Sequence, residues 1–91
     1  MEIFQTRQFL KLVKKLPLKH KESLDDAIKE ILKNPEMGEA KVGDLNGVYV
    51  YKFRLNNALT LLAYSLEETS ITLLSFGPHE NFYRDLKRTI H

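Results

Sequence analysis

Apolar residues recur at helical spacing in the first third of the chain and at strand spacing beyond Gly47. Phe9, Leu12, Val13 and Leu16 mark one helical stripe, with Lys11, Lys14 and Lys15 outside it. Thr6 stands where an N-cap belongs, and Pro17 closes the run. A second stripe, Leu24, Ala27, Ile28, Ile31 and Leu32, predicts a helix from about His20 to Lys33, ended by Asn34-Pro35. Two helices across a proline turn predict an αα-hairpin. Residues 35–47 hold neither period and contain Gly38, Gly43 and Gly47, so a loop is expected there.

From residue 48 the alternation predicts a strand over 48–55, a tight turn at Asn56-Asn57, and a second strand over 58–66. Glu67-Glu68-Thr69 turns the chain into a third strand, Ser70 to Gly77, and a last helix is expected over roughly 80–90. Glu2 to Gln5 reads as a short edge strand joining this meander. The expected fold class is α+β: an N-terminal helical hairpin packed on a small antiparallel sheet of three to four strands, with a C-terminal helix. Leu59, Leu61 and Ala63 lie on one face of the central strand, and Thr60, Leu62 and Tyr64 on the other. Both faces are therefore largely apolar. The hairpin can cover one; the C-terminal helix, an extended partner peptide or a ligand must cover part of the other.

Ninety-one residues predict one domain, 1–91. With no cysteine, disulfides and thiolate metal sites are excluded. No apolar run has bilayer length, and residues 1–15 lack a signal-peptide core, so a cytoplasmic protein with no membrane partner is expected. Net charge is only +2, but its distribution is uneven. Residues 1–34 carry eight Lys or Arg against five acids, residues 35–83 three against six, and residues 84–91 three against one. Such a pattern either steers an anionic partner toward one face or serves as solubilising surface.

Lys52 and Arg54 are two apart on a strand, so they share a face and stand about 7 Å apart. Phe53, Tyr49 and Tyr51 point the other way, toward the core. Two neighbouring cations repel unless an anion bridges them, and a guanidinium fork suits a phosphate. The alternative is an ordinary solvated strand face. His79 follows Gly77-Pro78 at a strand end and sits at or before a helix N-terminus, where anions are attracted. Histidine suits proton transfer near neutrality, although a turn or capping role fits the same position. Phe82 and Tyr83 lie within a turn of it, one able to pack while the other stays accessible. Arg84, Lys87 and Arg88 make the last helix basic, to hold phosphates or to complement its dipole. His20 and His91 are weaker candidates, and histidines so far apart without cysteine make a zinc site unfavourable. No Gly-rich phosphate loop, paired carboxylates or Ser/His/Asp set is present. Histidine, cations and tyrosine suit metal-free RNA cleavage through the 2′-hydroxyl.

The order of elements and the segments KLP, LNGVYVYKFR, LTLLAYS and ITLLSFGPHENFY resemble the RelE/ParE superfamily of toxins from bacterial toxin–antitoxin pairs, over nearly the whole chain. The resemblance implies a ribosome-dependent mRNA endonuclease, nearest to the RelE/YafQ-like branch, neutralised by a cognate antitoxin and using no cofactor. Operator DNA would be met only through the antitoxin. Lys52 and Arg54 match the basic pair that grips RNA, and His79 matches the catalytic histidine of the YafQ-like branch, with Phe82 or Tyr83 closing its motif. The implied catalytic set is His79, Arg54, Lys52 and Tyr83; the implied RNA-binding set is Lys52, Arg54, Arg84, Lys87 and Arg88. The chain departs from the pattern in lacking the further histidines of the YafQ-like hairpin and the central-strand arginine of RelE-like relatives, where Leu61 or a neighbour stands. These departures keep a second class open: a noncatalytic protein, either a ParE-like DNA gyrase inhibitor or a degenerate toxin that binds antitoxin.

Overall fold

The two periods of the sequence fold into helices laid on both faces of one sheet. A computed structural model describes residues 1–90; His91 lies outside the described residues. The elements are β1 (Glu2–Gln5), α1 (Arg7–Lys14), α2 (Leu18–Lys33), β2 (Glu39–Ala40), a 3-10 turn (Gly43–Leu45), β3 (Val48–Leu55), β4 (Ala58–Leu66), β5 (Ser70–Pro78) and α3 (Phe82–Ile90). The strand order is β1-β5-β4-β3-β2. β1 runs parallel to β5, and the remaining pairs are antiparallel. No helix among the described residues is long and apolar enough to cross a membrane.

The expected α+β architecture is present, but the sheet is mixed rather than antiparallel. The chain crosses through α1, α2 and the β-meander before β5 returns beside β1 in the same direction. Three further changes are in detail. α2 begins at Leu18 rather than near His20, because Pro17, at φ −59°, already accepts from the N–H groups of His20 and Lys21. The expected loop 35–47 contains β2, whose two residues are too few to show a period, and a 3-10 turn. β2 makes the sheet five-stranded rather than three- or four-stranded. Finally, β5 does not stop at Gly77: Gly77 pairs with Leu61 and Pro78 with Thr60. The Asn56-Asn57 turn has φ of 52° and 64°, the two positive angles that a tight hairpin of this hand requires.

Alternation on β4 divides the core. Leu62 and Tyr64 join Phe9, Leu24, Ile31, Ile71, Leu73 and Phe76 under the helical hairpin. Leu61 and Ala63 join Leu45, Val48, Val50 and Leu74, and there Phe82 and Leu86 of α3 cover them. Burying side chains of this size contributes about 1.5–3 kcal/mol each. On β5 the phase changes midway. Ile71 and Leu73 face the hairpin, but so does Phe76, because the register slips between Ala63 and Tyr64 and leaves Leu74 as an extra residue. Thr6 fixes this bulge. Its hydroxyl donates to the Leu74 carbonyl at 2.7 Å and accepts from the Phe9 N–H at 3.1 Å, capping α1 in the same contact.

Tyr64 anchors the segment that follows α2. Its buried hydroxyl donates to the Pro35 carbonyl at 2.6 Å and accepts from the Gly38 N–H at 3.2 Å, while its ring stacks on Tyr49. Burial pushes the phenol's pKa up. An added Cβ at Gly38 would lie 2.7 Å from that hydroxyl, so the glycine is required by the close approach. Tyr64→Phe is expected to lose about 1–2 kcal/mol in urea unfolding, as two backbone groups lose their partner. Gly38→Ala should destabilise by about 1–3 kcal/mol alone, and by less in the Tyr64→Phe background, where the clashing oxygen is gone; strict additivity of the two would contradict this contact.

Candidate functional site

β3 passes from buried to open along one face. Val48 and Val50 are covered, whereas Lys52 and Arg54, two and four residues further on the same face, are exposed. The cause is the position of α3. Phe82 and Leu86 press on the Val50 half of the face and leave the end nearest the β3–β4 hairpin bare, where Leu59 is 44% exposed. Phe53, Tyr49 and Tyr51 pack against the opposite core, as expected from the alternation.

The ladders place the remaining candidates at this same end. Lys52 pairs with Leu61, which pairs with Gly77, so the three form one row across the sheet. Two strand spacings put Lys52 and Gly77 roughly 10 Å apart. An added Cβ at Gly77 would meet nothing within 4 Å, leaving open space in that row. Two residues beyond Gly77 stands His79, exposed. The turn into α3 is made by the Phe82 N–H donating to the His79 carbonyl at 3.2 Å and by Asn81 at φ 64°, a conformation asparagine tolerates. The expected Gly-Pro break is therefore displaced: Gly77 has no positive φ, and Asn81 supplies the reversal.

Of the two aromatics, Phe82 docks the helix and Tyr83 remains half-buried in the site. The Tyr83 ring stands edge-on to His79, with centroids 5.9 Å apart, and edge-on to Phe82 at 5.2 Å. On it rests a residue that sequence reasoning missed. The Lys41 ammonium lies 5.0 Å from the Tyr83 centroid and 3.0 Å from a Glu39 carboxylate oxygen. Contact with Tyr83, then with Glu39, holds the Lys41 pKa above the ordinary lysine range. Lys41, by hydrogen bond and charge, holds Glu39 below its ordinary value, and the charge of Lys52 adds to this. Glu39 and Lys52 line one shallow cleft with Met37, Val50 and Tyr51. The only sequence sign of Lys41 was the spacing Glu39-Ala40-Lys41, which is too short to read as a strand.

The other expected residues are dispersed. The Arg54 guanidinium donates to the Asn57 carbonyl at 3.1 Å, and it also borders a cleft with Asp26 and Glu30 of α2. Arg84 lies 4.0 Å from Asp85, and Lys87 lies 3.8 Å from Asp44. Arg88 lines a separate cleft with Arg7 and Lys11 of α1. His20 sits in the first turn of α2, away from His79 in the chain and in a different layer. Among the described residues, no three His, Cys, Asp or Glu side chains gather as metal ligands. The site thus brings together His79, Tyr83 and Lys41 by direct contact, Lys52 through Glu39, and Arg54 by strand position.

Solved structures share this fold. A double arginine-to-alanine mutant of the E. coli toxin RelE in the free state aligns with a TM-score of 0.74 at 19% identity, covering 97% of this chain and 90% of that one. The toxin–antitoxin complex RelBE of E. coli aligns with a TM-score of 0.67 at 22% identity, covering 85% of this chain and 94% of that one. The RelE mutant bound to a peptide of the antitoxin RelBc gives 0.68 at 20% identity, with 92% of each chain covered. No curated protein matches the sequence. Residues 3–87 match the family described as the ParE-like toxin of type II bacterial toxin–antitoxin systems. The match spans nearly the whole chain, and the protein belongs to this family of toxins.

Proposed function

We propose that this toxin is a ribosome-dependent mRNA endonuclease, neutralised by a cognate antitoxin, that cuts RNA through its own 2′-hydroxyl without a metal or cofactor. The observation that carries this reading is the pairing of His79 with Tyr83 at the end of the sheet face that bears Lys52 and Arg54. In the reaction the 2′-oxygen attacks phosphorus, and the bond to the 5′-oxygen breaks. One group takes the 2′ proton, and another protonates the leaving 5′-oxygen. His79 serves at one of these two points. Lys52 and Arg54 hold the in-line phosphate as charge builds on it. Arg54 spends one donor on Asn57 and keeps the rest of its five. The fold shared with the RelE–RelBc peptide structure supports an antitoxin as partner.

A second reading, a noncatalytic toxin acting on DNA gyrase, draws support from Leu61. It or a neighbour stands where RelE-like relatives place an arginine, and Leu61 is fully buried under α3. In a reconstituted translation system, primer extension should show wild-type cuts in ribosome-bound message. His79→Ala should lower the cleavage rate by about 100-fold or more. Lys52→Ala and Arg54→Ala should each cost about 10- to 100-fold, the low end for electrostatic stabilisers because both are exposed. Wild type that cuts no message but inhibits gyrase supercoiling would overturn the nuclease reading and establish the second.

A further inference from the structure

Tyr83 stands on the first turn of α3, half-exposed, where a tyrosine ring ordinarily has a choice of rotamers. Here three groups bound it: Phe82 and His79 edge-on, and the Lys41 ammonium 5.0 Å from its centroid. Lys41 is not a typical solvated lysine. Its side chain is 20% exposed, against 59% for its partner Glu39. Its stem lies against the protein, and its ammonium is drawn to the negative face of the ring. Its backbone is also fixed, since the Lys41 N–H donates to the Val48 carbonyl at 2.9 Å, next to the β2–β3 ladder. The sheet thus fixes the Lys41 backbone, Glu39 holds its ammonium, and that ammonium is one of the three groups that bound the ring.

We infer that Lys41, held by Glu39 at the β2 edge, is the positioning residue of the site: it fixes the Tyr83 ring, and through that ring the orientation of the His79 imidazole. The catalytic consequence rests on the nuclease reading above; the positioning itself does not. Lys41 acts first on its neighbours, since Glu39 and Tyr83 already contact its ammonium. Glu39 has a second task. Its carboxylate, held by Lys41, also lines the cleft that Lys52 borders, so the positioning end of the site adjoins the phosphate-holding end. Freed of Lys41, the tyrosine samples other rotamers and the imidazole loses its edge-on wall. Misplacement of a reacting group on the scale of an ångström costs about 100-fold in rate.

The test has a spectroscopic arm and a kinetic arm. In aromatic NMR spectra of the full chain, Lys41→Met should move the His79 ring resonances in the direction that Tyr83→Leu moves them, with amide spectra showing the fold retained. Lys41→Arg, whose guanidinium can also lie on a ring face, should restore them. On ribosomes, Lys41→Met should lower kcat by about 100-fold with KM nearly unchanged, and Lys41→Arg should recover most of it. If Lys41→Met does not fold, Glu39→Gln carries the test, with smaller shifts in the same direction. His79 resonances that stay in place in the Lys41 and Glu39 variants, while Tyr83→Leu moves them, overturn the inference. Moved resonances with an unchanged kcat overturn its catalytic half. Moved resonances in a protein whose wild type cuts no RNA leave the positioning standing and sink the nuclease reading alone.

Discussion

The hydrogen bond from the Thr6 hydroxyl to the Leu74 carbonyl joins the first helix to the one place where the β4–β5 ladder slips. A strand without the extra residue would keep odd positions toward the helical hairpin to its end, turning Phe76 out of that core and Gly77 into it. The bulge reverses this. Phe76 meets Phe9 edge-on at 5.1 Å under α1, and Gly77 comes onto the α3 face beside Leu61. The phase of every later residue follows, including the exit toward His79. One hydroxyl thus caps α1 and satisfies the bulged carbonyl at the same time.

The same face of the sheet is packed at one end and open at the other, and the proposed chemistry belongs to the open end. Phe82 and Leu86 close the apolar half, and the helix that carries them packs on the Val48 and Val50 end and leaves Lys52, Arg54 and Leu59 open. Tyr83 stands at the border between the two halves. Its neighbour Phe82 points into the core, while its own ring meets His79 and Lys41. The site needs no deep cavity on this account. The proposed cleavage needs a fixed imidazole, a pair of cations on a strand and room for an extended phosphate chain between them.

Long periodic segments were legible in the sequence because burial imposes their period directly. The bounds of β3 and β4, the Asn56-Asn57 turn, the Thr6 cap and the outward pair Lys52 and Arg54 all follow from alternation and turn chemistry. Features that depend on tertiary contact were not. β2 is recognisable only from its pairing with Val50 and Tyr49, so Lys41 and Glu39 lay hidden in an apparent loop. The bulge at Leu74 marks the run Ile71 to Phe76 only by the adjacent Leu73 and Leu74, which interrupt the alternation without telling a bulge from a strand buried on both faces. Gly77-Pro78 suggested a break, yet the strand continues through it, because an edge-ward ladder position accepts proline and the reversal falls to Asn81. His79 and Tyr83 were visible as residue types, but their contact arises only once α3 docks.

In the proposed nuclease, proton transfer at this end of the sheet would use the RNA's own 2′-hydroxyl. The direct measurement is the cleavage of ribosome-bound messages that differ only in a 2′-deoxy substitution at the scissile nucleotide, with analysis of the fragment ends. The ribose message should yield a 2′,3′-cyclic phosphate and a 5′-hydroxyl, and the deoxy message should not be cut at that position. Equal cleavage of both messages, or fragments bearing a 5′-phosphate, would contradict the 2′-hydroxyl route.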